Sequence, residues 1–317
     1  MNLLVTGGCG FIGSNLIKLI LEQKSSEVSK IVNLDSLTYA ADLNNTDQFN
    51  KNKKYTLAHT DLCDIDNLRS VIYANNITHI IHLAAESHVD NSIKDASAFI
   101  QSNIVGTFNL LKMCMEFDIQ KFHHVSTDEV YGDLGPTGRF NELTPYNPKN
   151  PYSASKASSD MLVRAYHHTY GLPITISNCS NNYGPMQHEE KFVPTVIKSI
   201  LQDKKIPLYG TGKNIRDWIY VEDHCSAIWD VFTKGHLGET YCVGANCEKQ
   251  NIEVINQICD MMGVSASDSI EYVEDRPGHD KRYAIDNIKI MDDLGWYARN
   301  SFEIGIAKTI AWYREKY

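Results

Sequence analysis

Four side chains in this sequence have the types and the spacing to move protons. Asp128 and Glu129 are neighbours, and Tyr152 and Lys156 stand four positions apart further along the chain. A Tyr and a Lys at that spacing share one face of a helix, so the ammonium can favour the ionised phenol and make Tyr152 a base. Many reductases need no more than this pair. The two extra carboxylates indicate a second task, in which one proton is removed and another is delivered, as an elimination of water requires.

The adjacent acids Asp128 and Glu129 constrain the conformation of the local backbone. Adjacent side chains on a strand point to opposite faces, so Asp128 and Glu129 can serve one pocket only if the strand has already ended. We therefore expect a short helical turn that begins near Thr127. Two acids in one site also interact, so their titrations are coupled and one is readily kept protonated. The alternative is that both are ordinary polar residues at a strand end.

Composition narrows the class of protein. The chain has 317 residues, of which 43% are hydrophobic and 22% charged, as in a globular protein with one large domain or two small ones. The formal net charge of -9 argues against non-specific binding to nucleic acid. No apolar run approaches the ~20 residues of a membrane-spanning helix, and the N-terminus enters a strand directly, without a signal peptide.

The eight cysteines are scattered without Cys-x-x-Cys pairs. In a chain of this size they are expected to be reduced, mostly buried thiols rather than disulfides or zinc ligands. The sequence therefore predicts a cytoplasmic protein without a metal site.

Apolar runs alternate with segments of helical period, which predicts a parallel, doubly wound (Rossmann) α/β sheet. Strands are predicted at 3–6, 30–35, 55–59, 79–83, 121–126 and 174–178, and helices at 14–23, 65–75, 96–116 and 152–170. Residues 1–178 would form this first domain. From 179 to 317 the elements are shorter and separated by turns, which indicates a smaller α+β domain that binds substrate, with 215–235 returning to the first domain.

Three glycines after the first strand indicate a dinucleotide site. Gly7, Gly10 and Gly13 open the first helix, where glycine lets the backbone approach a pyrophosphate held at the helix N-terminus. Asp35 ends the second strand, 22 residues after Gly13. An acid there can hold the ribose hydroxyls and repels a 2′-phosphate, so NAD is favoured over NADP. The alternative is a glycine turn with only a packing role.

Other strand ends supply further candidates for contact with the cofactor. Asp61 and Leu62 follow the third strand and could meet the adenine, although Asp61 could instead cap a helix. Ala84 and Ala85 follow the fourth strand, at the edge of the sheet where ligands bind. The complete predicted set of cofactor contacts is Gly7, Gly10, Phe11, Ile12, Gly13, Asp35, Asp61, Leu62, Ala84, Ala85, Tyr152, Lys156 and Asn182.

Together, the glycine turn and the Tyr152–Lys156 pair resemble the extended short-chain dehydrogenase/reductase family, which acts largely on nucleotide-linked sugars. Within it, five segments resemble those of dTDP-glucose 4,6-dehydratases: HLAAESHVD at 82–90, STDEVYG at 126–132, SNNYGP at 180–185, NIRDW at 214–218 and DRPGHD at 275–280. Epimerases of the family typically lack the Asp-Glu pair, and GDP-mannose dehydratases and UDP-xylose synthases usually carry Ser-Glu there.

The resemblance implies a role for each candidate catalytic residue. Tyr152 would take the proton of the sugar 4-hydroxyl while C4 gives a hydride to NAD, with Lys156 holding the nicotinamide ribose and Thr127 bonded to the same oxygen. Glu129 would then remove the C5 proton, and Asp128 would protonate the departing C6 hydroxyl. Return of the hydride to C6 and of a proton to C5 would give a 4-keto-6-deoxy sugar nucleotide.

The resemblance also implies contacts with a nucleotide-sugar substrate by Ser87, Thr127, Asn181, Lys191, Tyr209, Arg216, Asn251 and Arg276. For Arg216 the competing interpretation is a salt bridge with Asp217 or Asp223. In this family, helices of the first domain usually pair two subunits, so we expect a homodimer through 96–116 and 152–170.

Three other functions remain open from the sequence. The same dehydration could act on UDP-glucose or a GDP-linked hexose, because the loop that reads the base is far from the chemistry. The enzyme could be a nucleotide-sugar 4-epimerase or a decarboxylase. A non-catalytic NAD-binding regulatory protein would share the fold, but it would not need the intact Tyr, Lys, Asp and Glu set.

Overall fold

The structure, a computed structural model, describes residues 1–275 and 280–317. Its strands are β1 (Asn2–Thr6), β2 (Lys30–Asp35), β3 (Tyr55–His59), β4 (His79–His82), β5 (Lys121–Thr127), β6 (Ile174–Cys179), β7 (Asn181–Tyr183), β8 (Ile206–Tyr209), β9 (Ile215–Tyr220), β10 (Thr240–Val243), β11 (Glu248–Gln250) and β12 (Ile270–Val273).

The α-helices are α1 (Phe11–Gln23), α2 (Asn44–Asp47), α3 (Ile65–Ala74), α4 (Val89–Lys94), α5 (Ser97–Phe99), α6 (Thr107–Glu116), α7 (Pro151–Tyr170), α8 (Phe192–Leu201), α9 (Val221–Lys234), α10 (Asn251–Met262), α11 (Ala266–Ser269), α12 (Ile288–Leu294) and α13 (Phe302–Lys316). Short 3-10 turns span Ser25–Glu27 and Asp128–Tyr131, and a π-helical segment spans Ile100–Gly106.

A seven-stranded parallel sheet forms the centre of the described chain, in the order β10-β6-β5-β4-β1-β2-β3. Its inner strands are buried on both faces; β6 is buried at every position, and β5 at every position after Lys121. Apolar clusters lie on both sides of the sheet, as helices packed on each face require. The predicted doubly wound parallel sheet is confirmed.

The strand order places a ligand-binding crevice next to β1. From β1 the chain builds outward through β2 to β3, then returns to β4 on the other side and continues through β5 and β6. Where the order reverses, the loops after β1 and β4 diverge and leave a crevice at the carboxyl ends of the strands. The end of β5, which carries Thr127, lies next to β4 at the same edge.

A smaller α+β part follows β6. Strands β7 and β11 flank β9 in a three-stranded sheet, β8 pairs with β12, and helices α8, α10 and α13 pack around them. Within this stretch the chain crosses back to the large sheet. Helix α9 packs on α1, β5 and β6, and β10 pairs with β6.

The predicted helix over 96–116 is interrupted in the structure. The Ile100–Gly106 segment is π-helical and separates α5 from α6. This segment directs Asn103 at the turn after β4, where its side chain accepts a hydrogen bond from the Glu86 N–H at 2.8 Å and donates to the Glu86 carbonyl at 3.0 Å. Asn103 also donates to Ser155 Oγ on α7 at 2.8 Å. π-helical segments often occur at functional sites. Here the segment places Asn103 where its side chain pairs both backbone polar groups of Glu86, in a loop beside the crevice.

Candidate active site

A cavity of about 310 Å³ opens at the carboxyl edge of the large sheet. The turns after β1, β2, β4 and β5 and the first turns of α7 form much of its wall. Every residue predicted from the sequence to contact the cofactor lines it: Gly7, Gly10, Phe11, Ile12, Gly13, Asp35, Asp61, Leu62, Ala84, Ala85, Tyr152, Lys156 and Asn182. The cavity is also lined by Thr127, Asp128 and Glu129.

The glycine turn leaves a cradle that a side chain would fill. Gly7 has a φ of +71°, and a Cβ there would lie 2.8 Å from the backbone of Ala84. A Cβ on Gly13 would lie 2.2 Å from the carbonyl oxygen of Gly7. Helix α1 begins after Gly10 without a capping side chain, so its first N–H groups are open to an anionic ligand.

Asp35 is buried at the end of β2. One of its oxygens accepts the Cys9 N–H and the other accepts the Leu37 N–H, both at 2.9 Å. Burial raises the pKa of Asp35 above its ordinary value, while these two hydrogen bonds act in the opposite direction. The carboxylate thus ties the glycine turn to the loop after β2, at the place where a ribose would be held.

Two other predicted cofactor residues have defined local roles. Asp64, and not Asp61, caps helix α3, because its side chain accepts the Asn67 N–H at 3.1 Å. Asp61 instead accepts the Cys63 N–H at 2.8 Å and faces the cavity. Asn182 is fixed by His224, whose Nδ1 lies 2.8 Å from the amide oxygen.

Strand β5 ends just before the two adjacent acids, as predicted from their sequence. Strand β5 ends at Thr127, and a 3-10 turn runs from Asp128 to Tyr131. The Thr127 side chain caps this turn by accepting the Glu129 N–H at 3.3 Å. The predicted turn is confirmed, and it brings both carboxylates to one cavity despite their being adjacent in sequence.

The acid pair has unequal electrostatics. Asp128 is 2% exposed, whereas Glu129 is only partly buried. Burial, followed by the negative charges of Glu129 and Asp217, raises the pKa of Asp128 well above its ordinary value, against the opposing charge of Arg216. The site therefore favours the protonated form of Asp128, the form that a proton donor needs.

Tyr152 and Lys156 share the inward face of α7. The helix starts with Pro151 after the Asn150 cap, whose side chain accepts the Ser153 N–H at 2.8 Å, so the first turn is rigidly placed. Tyr152 and Lys156 both line the cavity, and Lys156 Nζ donates to the Val125 carbonyl at 2.9 Å.

The pKa of Tyr152 shifts in the direction opposite to the one expected from the spacing of Tyr152 and Lys156. Burial, followed by the charge of Glu129, raises the pKa of Tyr152 well above its ordinary value, while a hydrogen bond with Thr127 lowers it. Burial also lowers the pKa of Lys156. In the chain by itself, burial and the neighbouring negative charges therefore set the direction of the Tyr152 pKa, opposite to the lowering expected from Lys156.

Some predicted substrate residues line the same cavity. Ser87, Asn181 and Lys191 lie in its wall beside Thr127. Lys191 Nζ donates to the Ser87 carbonyl at 2.9 Å, which joins the loop after β4 to the segment before α8. A cationic donor is therefore present at the rim of the cavity, where a phosphate could be met.

Arg216, Tyr209 and Asn251 do not line this cavity. The Arg216 guanidinium donates to the Asp280 carbonyl at 2.9 Å and stacks 4.4 Å from the centre of the Tyr283 ring. Among the described residues it forms no salt bridge with Asp217 or Asp223, which was the competing interpretation.

Tyr209 is 42% exposed at the end of β8, and Asn251 opens α10. Arg276 lies outside the described residues.

Two residues near the chemistry were not anticipated. Glu190 lines the cavity next to Lys191, and its Oε2 lies 3.8 Å from His88 Nε2. Tyr283 is buried, its hydroxyl donates to Asp280, its ring lies 4.4 Å from the Arg216 guanidinium, and burial followed by the charge of Glu129 raises its pKa. The adjacent acid and base at 190 and 191 were a usable signal, whereas nothing local in the sequence marks Tyr283.

Within residues 1–275 and 280–317, no group of three or more His, Cys, Asp or Glu residues is arranged to hold a metal ion. No helix in that part of the chain is both long and apolar enough to cross a membrane.

A methyl group at the glycine turn should disrupt cofactor binding. Gly13→Ala forces a Cβ against the Gly7 carbonyl, and overpacking of this kind costs about 1–3 kcal/mol, so we expect NAD retention to fall about tenfold or more. The measurement is the NAD content of purified protein, together with thermal unfolding. Gly135→Ala is the matched control, because a Cβ there meets nothing within 4 Å. Full NAD content in Gly13→Ala would show that the turn does not hold the cofactor.

Comparison with known proteins agrees with this geometry. A family model described as GDP-mannose 4,6 dehydratase matches residues 4–309. The dTDP-glucose 4,6-dehydratase of Xanthomonas campestris pv. campestris (strain B100) is 49% identical over 327 residues, which cover 98% of this chain and 92% of the relative.

Two solved structures of enzymes with that same name share the fold. The one from Bacillus anthracis str. Ames, in complex with NAD, has a TM-score of 0.91 at 44% identity and covers 99% of this chain and 97% of its own. The one from Streptomyces venezuelae, also with NAD bound, has a TM-score of 0.96 at 42% identity with the same coverage of 99% and 97%. The chain therefore belongs to the GDP-mannose 4,6 dehydratase family and, within it, to the dTDP-glucose 4,6-dehydratases.

Proposed function

We propose that this chain is an NAD-dependent lyase that converts dTDP-glucose into dTDP-4-keto-6-deoxyglucose. The reaction oxidises C4, eliminates water across C5 and C6, and reduces C6. The observation that carries the proposal is the pair Asp128 and Glu129 at the same cavity as Tyr152, where burial of Asp128 raises its pKa and favours its acid form. An oxidoreductase alone would need neither acid.

The cavity fits NAD as the resident cofactor. The cradle at Gly7, Gly10 and Gly13 leaves room for a pyrophosphate at the start of α1, and Asp35 presents a carboxylate for the ribose. When bound, NAD supplies the hydride acceptor for C4 and the hydride donor for C6. We propose that Phe11, Ile12, Asp61, Leu62, Ala84, Ala85 and Asn182 complete the cofactor site.

For the oxidation of C4, we assign the proton of the sugar 4-hydroxyl to Tyr152. Thr127, which lines the cavity beside Tyr152, would bond the same sugar oxygen. Burial opposes ionisation of the phenol, so the positive charge of Lys156 is needed to offset it. Lys156 would also hold the nicotinamide ribose.

For the elimination, we assign opposite roles to the two neighbouring acids. The 4-ketone acidifies the C5 hydrogen, and Glu129, the less buried carboxylate, would remove it as general base. Asp128 would protonate the C6 hydroxyl so that it leaves as water. After C6 is reduced, Glu129 would return a proton to C5.

The remainder of the nucleotide sugar would extend from the cavity toward the smaller α+β part. Ser87, Asn181 and Lys191 are our candidates for contact with the sugar and diphosphate because they line the cavity wall. For the diphosphate and nucleotide end we propose Tyr209, Arg216, Asn251 and Arg276.

A substrate panel tests the proposal. Protein saturated with NAD is offered dTDP-glucose, UDP-glucose, GDP-mannose, UDP-galactose and UDP-glucuronic acid, and the products are followed by mass spectrometry. We expect the loss of one water from dTDP-glucose, with much slower reaction of the other sugars. An unchanged mass with an altered sugar would indicate an epimerase, and loss of carbon dioxide from a uronic-acid substrate would indicate a decarboxylase.

We also propose the division of the chain into a cofactor domain at 1–178 and a substrate domain at 179–317, with 215–235 returning to the first. Helix α9 supports that return because it packs on β5 and β6 of the large sheet, whereas β9 at 215–220 pairs with β7 and β11 in the small sheet; β10, which follows 235, also joins the large sheet beside β6. A cytoplasmic location is proposed because all eight cysteines are free thiols.

A homodimer is proposed through the helices of the cofactor domain. These helices expose large apolar side chains that a partner subunit would cover. They are Ile100, Phe108 and Met115 in the 97–116 stretch, and Met161 and Tyr170 on α7.

A further inference from the structure

A buried carboxylate lies behind the catalytic helix. Asp160 is one turn beyond Lys156 on α7 and is fully buried. Its Oδ2 accepts hydrogen bonds from Ser126 Oγ at 2.9 Å, Tyr146 Oη at 2.8 Å and Asn178 Nδ2 at 3.3 Å. The donors come from β5, β6 and the loop before α7, so the carboxylate joins three elements of the core.

A histidine on β5 contacts the other oxygen of this carboxylate. His124 Nε2 lies 3.1 Å from Asp160 Oδ1, and neither side chain is exposed. Burial pushes the pKa of Asp160 upward, but the contact with His124, the charge of Lys156 and the hydrogen bond from Ser126 outweigh it and hold the pKa below its ordinary value. Three hydrogen bonds and the His124 contact thus favour the ionised form of Asp160, and these partners offset the cost of burying a carboxylate.

This cluster touches the catalytic machinery at two points. Asn178 Nδ2 also donates to the Thr127 carbonyl at 3.1 Å, which ties Asp160 to the strand end that carries the acid pair. The charge of Asp160 also acts on Lys156, where it opposes the lowering of the ammonium pKa by burial. Lys156 has no carboxylate within salt-bridge distance among the described residues, so a fixed anion one turn away is its nearest source of compensation in α7.

We propose that Asp160, oriented by His124, is a positioning residue that holds the Lys156 ammonium charged at the cofactor cavity and braces the end of β5. The inference rests on the proposed function, in which a charged Lys156 favours ionisation of Tyr152. The titratable groups that face Lys156 and Tyr152 are His82 on β4, His124 on β5, Asp128 and Glu129 on the 3-10 turn, Cys179 on β6 and Asp160 on α7.

The test measures the ionisation of Lys156 without any substrate, so it stands apart from the identity of the reaction. Protein saturated with NAD and labelled with 15N at the lysine Nζ is titrated by NMR, and Lys156→Arg identifies the signal. In Asp160→Asn the pKa of Lys156 should fall by about one unit, because residues one helical turn apart are neighbours, with Cβ atoms about 5–6 Å apart, and an opposite charge at that range shifts a pKa by about that much. An unchanged Lys156 pKa in that variant would overturn the proposal.

Two matched variants separate charge from packing. Asp160→Glu keeps the anion and should restore much of the Lys156 pKa, whereas Tyr146→Phe removes one hydrogen bond to Asp160 without changing charge and should leave that pKa in place. A fall in Tyr146→Phe equal to that in Asp160→Asn would assign the effect to packing. If Asp160→Asn does not fold, 13C NMR of Asp160 in the wild-type protein decides: an ionised carboxylate at neutral pH supports the proposal, and a protonated one overturns it.

Discussion

Replacing Glu129 by Gln is expected to abolish exchange of the sugar C5 hydrogen with deuterated solvent. Gln has the shape of Glu but cannot accept the proton, so the reaction should stop after C4 is oxidised. Removing a general base typically costs about 10²–10⁴-fold in rate, and turnover should fall by at least that much. The Tyr152 step does not use Glu129 as a base, so the bound cofactor should still be reduced by dTDP-glucose.

The experiment follows two signals in the same sample. NADH absorbance reports oxidation of C4, and mass spectrometry of sugar recovered from deuterated buffer reports exchange at C5. Glu222→Gln is the matched control, because Glu222 is exposed at the start of α9. This variant should show normal exchange at C5 and normal turnover. Normal exchange at C5 in Glu129→Gln would remove Glu129 from the role of base.

The features that could be predicted from the sequence are those governed by local rules. The central strands are recognisable because both faces are buried, and the glycine turn because a Cβ at Gly7 or Gly13 would collide with backbone. The 3-10 turn after Thr127 follows from a simple conflict: adjacent residues on a strand cannot share a pocket. In each case a few neighbouring residues determine the geometry.

The features that were missed depend on contacts between distant segments. The π-helical segment exists where Asn103 meets Glu86, and Tyr283 meets the Arg216 guanidinium because the chain near 282 pairs with Ile215. Neither contact leaves a local pattern. The raised pKa of Tyr152 was not predicted for a related reason. The four-residue spacing of Tyr152 and Lys156 indicates a nearby ammonium, but it does not show how deeply the phenol is buried.

Asp128→Asn is expected to block loss of water while leaving exchange at C5 intact. Asn cannot deliver a proton to the departing C6 hydroxyl, so formation of the 4-keto-6-deoxy product should fall by about 10²–10⁴-fold. Glu129 would remain able to remove and return the C5 proton. The two variants therefore have opposite exchange phenotypes, although their residues are neighbours in the chain.

The same substitution should stabilise the folded protein at neutral pH. The pKa of Asp128 is raised on folding, mainly by burial, so folding disfavours its ionised form and the unfolded chain gains by ionising. The stability that Asp128 contributes is complete below its unfolded pKa and is lost as the pH rises toward the folded pKa. Asn carries no such penalty, so the melting temperature of Asp128→Asn should exceed that of wild type, and the difference should grow as the pH rises from acid to neutral.

Thermal unfolding across a pH series, combined with the exchange assay, tests both halves of this prediction. In the wild-type enzyme the elimination step should weaken as the pH rises through the raised pKa of Asp128, because the acid form is consumed. If Asp128→Asn eliminated water at the wild-type rate, Asp128 would not be the acid. If its stability followed that of wild type at every pH, Asp128 would not be a buried acid held protonated against its ordinary pKa. If Asp128→Asn is more stable than wild type but no longer eliminates water, then Asp128 serves the reaction and lowers the stability of the folded protein.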